Sequence, residues 1–204
     1  MVTELGIGVE DILLSGLMAL LGEGSHGARQ AQKACNECEG RYQMAHHFGL
    51  ELLLDDRATP EQTRRIVELQ QISLAFRRIA QAAKRIAEQS LTLQPGIDEV
   101  VAHVGASMDL LEYLIKQTRV HLRNAILYST SRDRNYARVI LEEDADMRRA
   151  YMILESRVQE AISEQPRTSF PMQQLLGIAT WLDTIGRDCY RIANSVLYDP
   201  PNKH

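Results

Sequence analysis

Two cysteines and two histidines in the first quarter of the chain could together bind a zinc ion. Cys35 and Cys38 have the C-x-x-C spacing of zinc ligands, and His46 and His47 follow them. Structural zinc sites usually place such a cysteine pair on a turn. Here the pair lies inside a continuous helical pattern of apolar residues. This favours cysteines that pack as small apolar side chains, and a reducing compartment disfavours a disulfide between them.

The sequence does not contain the common patterns of catalytic residues. It has no glycine-rich phosphate loop, no nucleophile motif and no Glu-x-x-His pair. Asp183 and Asp188 are five residues apart, which places them on different faces of a helix. The histidines are scattered along the chain. We therefore expect a protein that is not an enzyme and that needs no cofactor.

The elements that must position these residues are helices, because apolar residues recur at spacings of three and four and never convincingly at two. The pattern predicts an all-α protein. Thr59-Pro60-Glu61-Gln62 has the residues of a helix N-terminus, and Pro95–Gly96 is the best boundary between two halves. The six predicted helices cover about residues 3–21, 26–54, 60–91, 98–129, 134–163 and 170–198.

The two halves of the chain resemble each other in sequence. Arg85–Ile86–Ala87 matches Arg191–Ile192–Ala193 at an offset of 106 residues, and Tyr42 matches Tyr151 at an offset of 109. The difference of three falls where a loop can absorb an insertion. We predict two pseudo-repeated three-helix bundles, residues 1–94 and 95–204, whose neighbouring helices pack antiparallel.

Composition and charge exclude some classes of function. The chain has 204 residues, of which 45% are hydrophobic and 25% are charged, as in ordinary soluble domains. Its net charge of −4 argues against a nucleic-acid partner, which would need a clustered positive surface. The most apolar early run, residues 12–21, is too short to span a bilayer. With an odd number of cysteines and no leader peptide, we expect a cytoplasmic protein.

Three segments resemble motifs of the PhoU family of phosphate-uptake regulators. The segment LDTIGRDCYRIAN, at 182–194, is similar to the family signature L-E-R-I-G-D-x-x-x-N-I. The segment ILEEDADMRRAY, at 140–151, is similar to E-D-x-x-V-D-x-x-Y, and LGIGVEDILLSGLMAL, at 5–20, resembles the first helix. The resemblance implies a PhoU-like fold and a non-enzymatic regulator or adaptor in phosphate homeostasis. It also implies protein partners, namely a phosphate ABC transporter component or a sensor kinase, contact with the membrane only through a partner, and a possible homodimer.

Many PhoU-like proteins hold iron or zinc clusters on E/D-x-x-x-D pairs, whose residues share one helix face. This sequence departs from that pattern. Of the eight matching positions three carry carboxylates, three carry arginine, and arginine cannot be deprotonated and repels cations. A multinuclear metal cluster is therefore disfavoured. The eight positions are Cys35, Glu39, Arg77, Gln81, Asp144, Arg148, Asp183 and Arg187.

We predict that ion pairs replace the metal in the second half. On antiparallel helices Asp144 should lie level with Arg187, and Asp183 level with Arg148. Two carboxylates and two arginines would then form a neutral lattice within and between the helices, adding on the order of 1 kcal/mol per good pair.

Three alternatives remain open for these positions. Arg77, Arg78, Arg148 and Arg187 could line a weak anion site. The remnants Cys35 and Glu39 could hold a single soft metal. The chain could also be a metal-binding PhoU-like protein, with iron or zinc, or a PhoU-like accessory domain of another anion or sodium–phosphate transporter.

Overall fold

The computed structural model describes residues 2–20, 24–54, 57–166 and 169–195, and nearly all of them are helical. Short 3₁₀ turns at Gln94–Gly96 and Gly105–Ser107 precede the fourth and fifth helices. No strand occurs in these four stretches, so the predicted all-α class is confirmed. The helices are α1 (Val2–Met18), α2 (Gly24–Leu53), α3 (Pro60–Leu93), α4 (Ile97–Val104), α5 (Met108–Ser131), α6 (Arg134–Glu164) and α7 (Ser169–Asn194).

The described part of the chain has seven helices where the sequence pattern predicts six, because the predicted helix at about 98–129 is divided into α4 and α5. Val104 has φ −122° and ψ 19°, which leaves the helical region. Gly105 and Ser107 follow, and both residue types are poor helix formers. The apolar periodicity continues across this break, which is why periodicity alone does not reveal it.

Several predicted boundaries lie outside the described residues, at 21–23, 55–56, 167–168 and 196–204. They include the ends of the first and last predicted helices, most of the glycine break between the first two, and the C-terminal DPPNKH segment.

Two helix starts follow directly from local sequence. At α3 the Thr59 hydroxyl accepts a hydrogen bond from the Gln62 backbone N–H at 3.2 Å, and the Gln62 side chain accepts one from the Thr59 N–H at 2.9 Å. This reciprocal cap, with Pro60 in the first turn, confirms the predicted start. At α6 the Asp133 carboxylate accepts from the Asn135 N–H at 2.9 Å.

The helices α3 and α7 lie at the centre of the bundle. α3 packs on α1, α2 and α7, while α7 packs on α3, α5 and α6. The two run antiparallel, since Arg78 contacts Asp188 near the middle and the Gln89 side chain lies against Gly177 further along. The predicted division at residue 94 falls in the turn before α4. That division and the internal repeat stay predictions.

The apolar core runs through the length of the bundle. Phe76 and Ile79 on α3 and Leu182 and Ile185 on α7 are fully buried, so the two central helices contribute apolar side chains to one continuous core. Among the described helices, none combines the length and the apolar character that a membrane span needs.

Candidate functional site

The four charged residues predicted to form a lattice lie on the contact between α6 and α7. Arg148 Nε lies 2.8 Å from Asp144 Oδ2, and Arg187 Nη2 lies 2.6 Å from Asp183 Oδ2. The carboxylates are largely buried, with 13% and 8% of their side chains exposed, while about half of each arginine side chain is exposed. Each pair joins residues four apart on one helix, which is the spacing that brings side chains together.

The ion pairs predicted between α6 and α7 are not among the contacts of the described residues. The Arg148 guanidinium instead lies over the Tyr190 ring of α7, 5.7 Å from its centroid, a cation–π contact. The four charges still influence one another. Burial raises the pKa of Asp183, the guanidiniums of Arg187 and Arg148 oppose that rise, and the charge of Asp144 adds to it.

The glycine of the signature segment has a packing role between these helices. A Cβ atom added to Gly186 would lie 2.7 Å from the Met147 Cε atom, closer than a normal contact. Glycine at this position therefore makes room for the Met147 side chain where α6 and α7 approach each other.

The corresponding positions of the first half form an ion pair between helices that the sequence reasoning missed. Arg77 Nε on α3 donates to Glu39 Oε2 on α2 at 2.7 Å. This hydrogen bond holds the pKa of Glu39 below its usual range, and the guanidinium also lies 4.8 Å from the centroid of the Tyr42 ring. The register that places Asp183 level with Arg148 also places Arg77 level with Glu39. Applying it to the first half would have predicted this pair.

A further buried carboxylate, Asp188, has no role that the sequence predicts. Its side chain on α7 is 1% exposed. It accepts hydrogen bonds from Arg78 Nε at 3.1 Å and from Arg78 Nη2 at 2.8 Å, both across from α3, and from Arg191 Nη1 at 2.6 Å. Predicting this group requires the register between α3 and α7, which no local motif supplies.

The cysteines and histidines considered as zinc ligands do not converge, as the disfavoured zinc interpretation would require. Cys35 and Cys38 are buried free thiols, and burial raises the pKa of both, that of Cys38 to about 11. His46 instead contacts the Gln70 amide at 2.9 Å, and His47 lies 3.2 Å from Glu51. Among the described residues, no three His, Cys, Asp or Glu side chains come together as a possible metal site.

The residues present therefore do not fit the metal cluster that the resemblance implies. All three carboxylates at the eight positions have an arginine partner. Gln81 is exposed, and burial raises the pKa of the Cys35 thiol, which disfavours the thiolate form that binds a metal. Each of the four arginines considered for an anion site, Arg77, Arg78, Arg148 and Arg187, contacts a carboxylate.

The fold defined by these helices is the PhoU-like helical bundle. The structure is similar to that of PhoU from Pseudomonas aeruginosa, with a TM-score of 0.87 over 97% of this chain and 92% of that chain. The two sequences are 17% identical, so the likeness establishes the fold. No family model and no curated protein matches this sequence. The predicted PhoU-like fold is thus confirmed.

Proposed function

We propose that this protein regulates phosphate uptake and phosphate homeostasis as a non-enzymatic adaptor. The observation that carries this proposal is the match of the fold to PhoU along nearly the whole chain. The sequence motifs add to it, because Gly186 of the signature segment lies in the contact between α6 and α7. The partners would be a phosphate ABC transporter component or a sensor kinase, met in the cytoplasm through helix surfaces.

In such an adaptor the affinity would come from a few buried anchor residues, and charge complementarity would select the partner. The protein would reach the membrane only through its partner and could act as a homodimer. Sedimentation equilibrium tests the dimer directly, since a protomer has a mass of 23.1 kDa. A single species of that mass at micromolar concentration would contradict the dimer and leave the adaptor role intact.

Complementation tests the proposed role. A bacterium that lacks its own PhoU is transformed with this chain, with Pseudomonas PhoU as the positive control and an empty vector as the negative control. We expect phosphate uptake and expression of phosphate-starvation genes to return toward normal. Binding of the purified chain to the host's transporter ATPase or sensor kinase is measured in parallel. A chain that is produced and folded, yet restores nothing and binds neither protein, contradicts the proposal.

We further propose that this regulator works without a metal cluster, because arginines hold the carboxylates at the matching positions. Protein produced with added iron and zinc should contain less than about a tenth of an equivalent of either metal by elemental analysis. Pseudomonas PhoU and a PhoU-like protein with all eight carboxylates, purified alongside, are the references for metal loading. One or more equivalents, lost on Cys35→Ala or Asp144→Ala, would show that arginine has not displaced the metal.

A further inference from the structure

A groove along the contact of α3 and α7 contains an excess of positive charge. One cavity of about 400 Å³ is lined by Arg64, Glu68, Gln71, Arg191 and Ser195, among others. A second, of about 370 Å³, shares the last three of these residues and reaches Arg78. The two cavities thus form one continuous groove whose α3 wall carries a polar side chain every seven residues. Seven residues are about 10 Å along a helix, so the wall extends for about 20 Å.

One end of this groove, near the turn between α5 and α6, holds a carboxylate that pairs with two arginines. Glu68 of α3 accepts from Arg65 Nη1 at 3.0 Å and from Arg132 Nη2 at 2.7 Å. Its side chain is 17% exposed, against 41% for Arg65. Arg64, which immediately precedes Arg65 on α3, is exposed and has no ion pair or hydrogen bond among the described residues. Three guanidiniums therefore lie at or beside this end for one carboxylate, and of the three Arg64 lines the cavity.

The other end repeats the arrangement. Asp188 is buried beneath Arg78 and Arg191, whose side chains are 39% and 63% exposed. Arg191 uses one of its five N–H donors on this carboxylate. Three arginines, Arg64, Arg78 and Arg191, line the two cavities, while Arg65 and Arg132 bind Glu68 from outside the lining. Against the two carboxylates, these five arginines leave a surplus of three positive charges around the groove, on a chain whose net charge is −4. Arg64 has no partner in the described part of the chain and Arg191 uses one donor, so both keep N–H groups that a ligand in the groove could use.

Apolar side chains accompany these arginines on α3. Val67 and Leu74 are 41% and 36% exposed and line the first and second cavity, respectively. They follow the row of Arg64, Gln71 and Arg78 at the three-residue spacing that places side chains side by side. The groove therefore offers charged donors beside apolar surface, which suits an organic anion better than a bare ion.

We propose that this groove binds an organic phosphate with two or more negative charges. The phosphate groups of this ligand lie between Arg64 and Arg191, with the Gln71 amide as a further donor. The organic part of the ligand lies against Val67. Guanidinium groups suit phosphate because their N–H donors match two oxygens at once. This site is separate from the charged residues at the contact of α6 and α7 (Asp144, Arg148, Asp183 and Arg187), and the proposal does not depend on the regulatory role.

Isothermal titration calorimetry with ATP, pyrophosphate, orthophosphate and sulfate tests the site. We expect ATP and pyrophosphate to bind more tightly than the two small anions, and ATP to bind at least as tightly as pyrophosphate. Arg64→Gln should weaken ATP binding about tenfold or more, the usual effect of losing a hydrogen bond to a charged group. Since Arg64 is exposed and unpaired, the variant should keep the circular dichroism and thermal stability of the wild type.

Arg149→Gln is the matched control. Arg149 lies on α6, is 73% exposed, and does not line the groove, so this variant removes one positive charge elsewhere. If both variants weaken ATP binding equally, the effect is general electrostatics and the assigned site is wrong. The proposal is also overturned if ATP and pyrophosphate fail to bind at millimolar concentration, or if all four anions bind alike. Binding of an acidic peptide in place of all four, lost on Arg64→Gln, would overturn the ligand class.

Discussion

Replacing Asp188 with alanine removes the carboxylate that joins α3 to α7 and should destabilise the fold by about 3 kcal/mol. Removing one partner of a buried ion pair usually costs about 3 to 5 kcal/mol, because a charge is left without compensation. The lower value applies because the stranded guanidiniums of Arg78 and Arg191 are 39% and 63% exposed and remain in contact with water.

The two arginines should contribute unequally to that loss. Arg78→Met removes two hydrogen-bonding atoms from the Asp188 carboxylate and should cost about 2 kcal/mol. Arg191→Met removes a more exposed partner from the same helix and should cost less than about 1 kcal/mol. The double variant of Asp188 and Arg78 should be about 1.5 kcal/mol more stable than the sum of the two losses predicts, because the residues interact directly.

The free energies come from urea unfolding at neutral pH, followed by far-ultraviolet circular dichroism and by the fluorescence of Trp181. Coincident transitions by the two probes establish that the linear extrapolation is valid. Two results would refute the reasoning. A loss below about 0.5 kcal/mol for Asp188→Ala would place this residue among ordinary surface positions. Strict additivity in the double variant would mean that Arg78 and Asp188 do not interact in solution.

Two further predictions concern other parts of the bundle. Gly40→Ala should stabilise α2 by up to about 1 kcal/mol, since nothing lies within 4 Å of the added Cβ. In the same helix Gly27→Ala should cost about 1 to 3 kcal/mol, because its Cβ would lie 2.6 Å from the Ser15 carbonyl oxygen. Equal urea midpoints for the two glycine variants would contradict both predictions. Burial lowers the pKa of His121. The carboxylates of Glu143 and, to a smaller extent, Asp144 oppose that shift only in part. The free energy of unfolding should therefore fall as the pH drops below about 6.5, where the unfolded chain gains a proton that the folded chain resists. His121→Asn should flatten this slope, and an unchanged slope would exclude His121 as its source.

The parts of the site that follow most directly from the sequence are those set by one helix. The pairs of Asp144 with Arg148 and of Asp183 with Arg187 follow from the four-residue spacing alone. Contacts between helices depend on a choice of rotamers. The Arg148 guanidinium has both Asp144 and the Tyr190 ring within reach, and such exposed contacts differ by about 1 kcal/mol or less. A difference of that size cannot be read from residue types.

The same limit on what the sequence predicts applies to the fold. Four consecutive residues determine the capped start of α3, so the sequence predicts it. The break after Val104 is not predicted, because it interrupts a pattern that stays apolar on both sides. The pair of Glu39 with Arg77 could have been predicted, since it needs the same register as the predicted lattice. The contact of Arg78 with Asp188 could not, because it depends on how α3 lies against α7.

Arg77 and Arg78 together suggest why arginine suits these positions on α3. Adjacent helical residues point in directions about 100° apart, so one arginine reaches Glu39 of α2 while the other reaches Asp188 of α7. The buried face of α3 carries five alanines beside larger side chains such as Phe76 and Ile79, and the small side chains interlock weakly when helices slide. We infer that the two ion pairs fix the register of α3 against both neighbours at one height. Charged contacts would then supply specificity that the small apolar side chains lack.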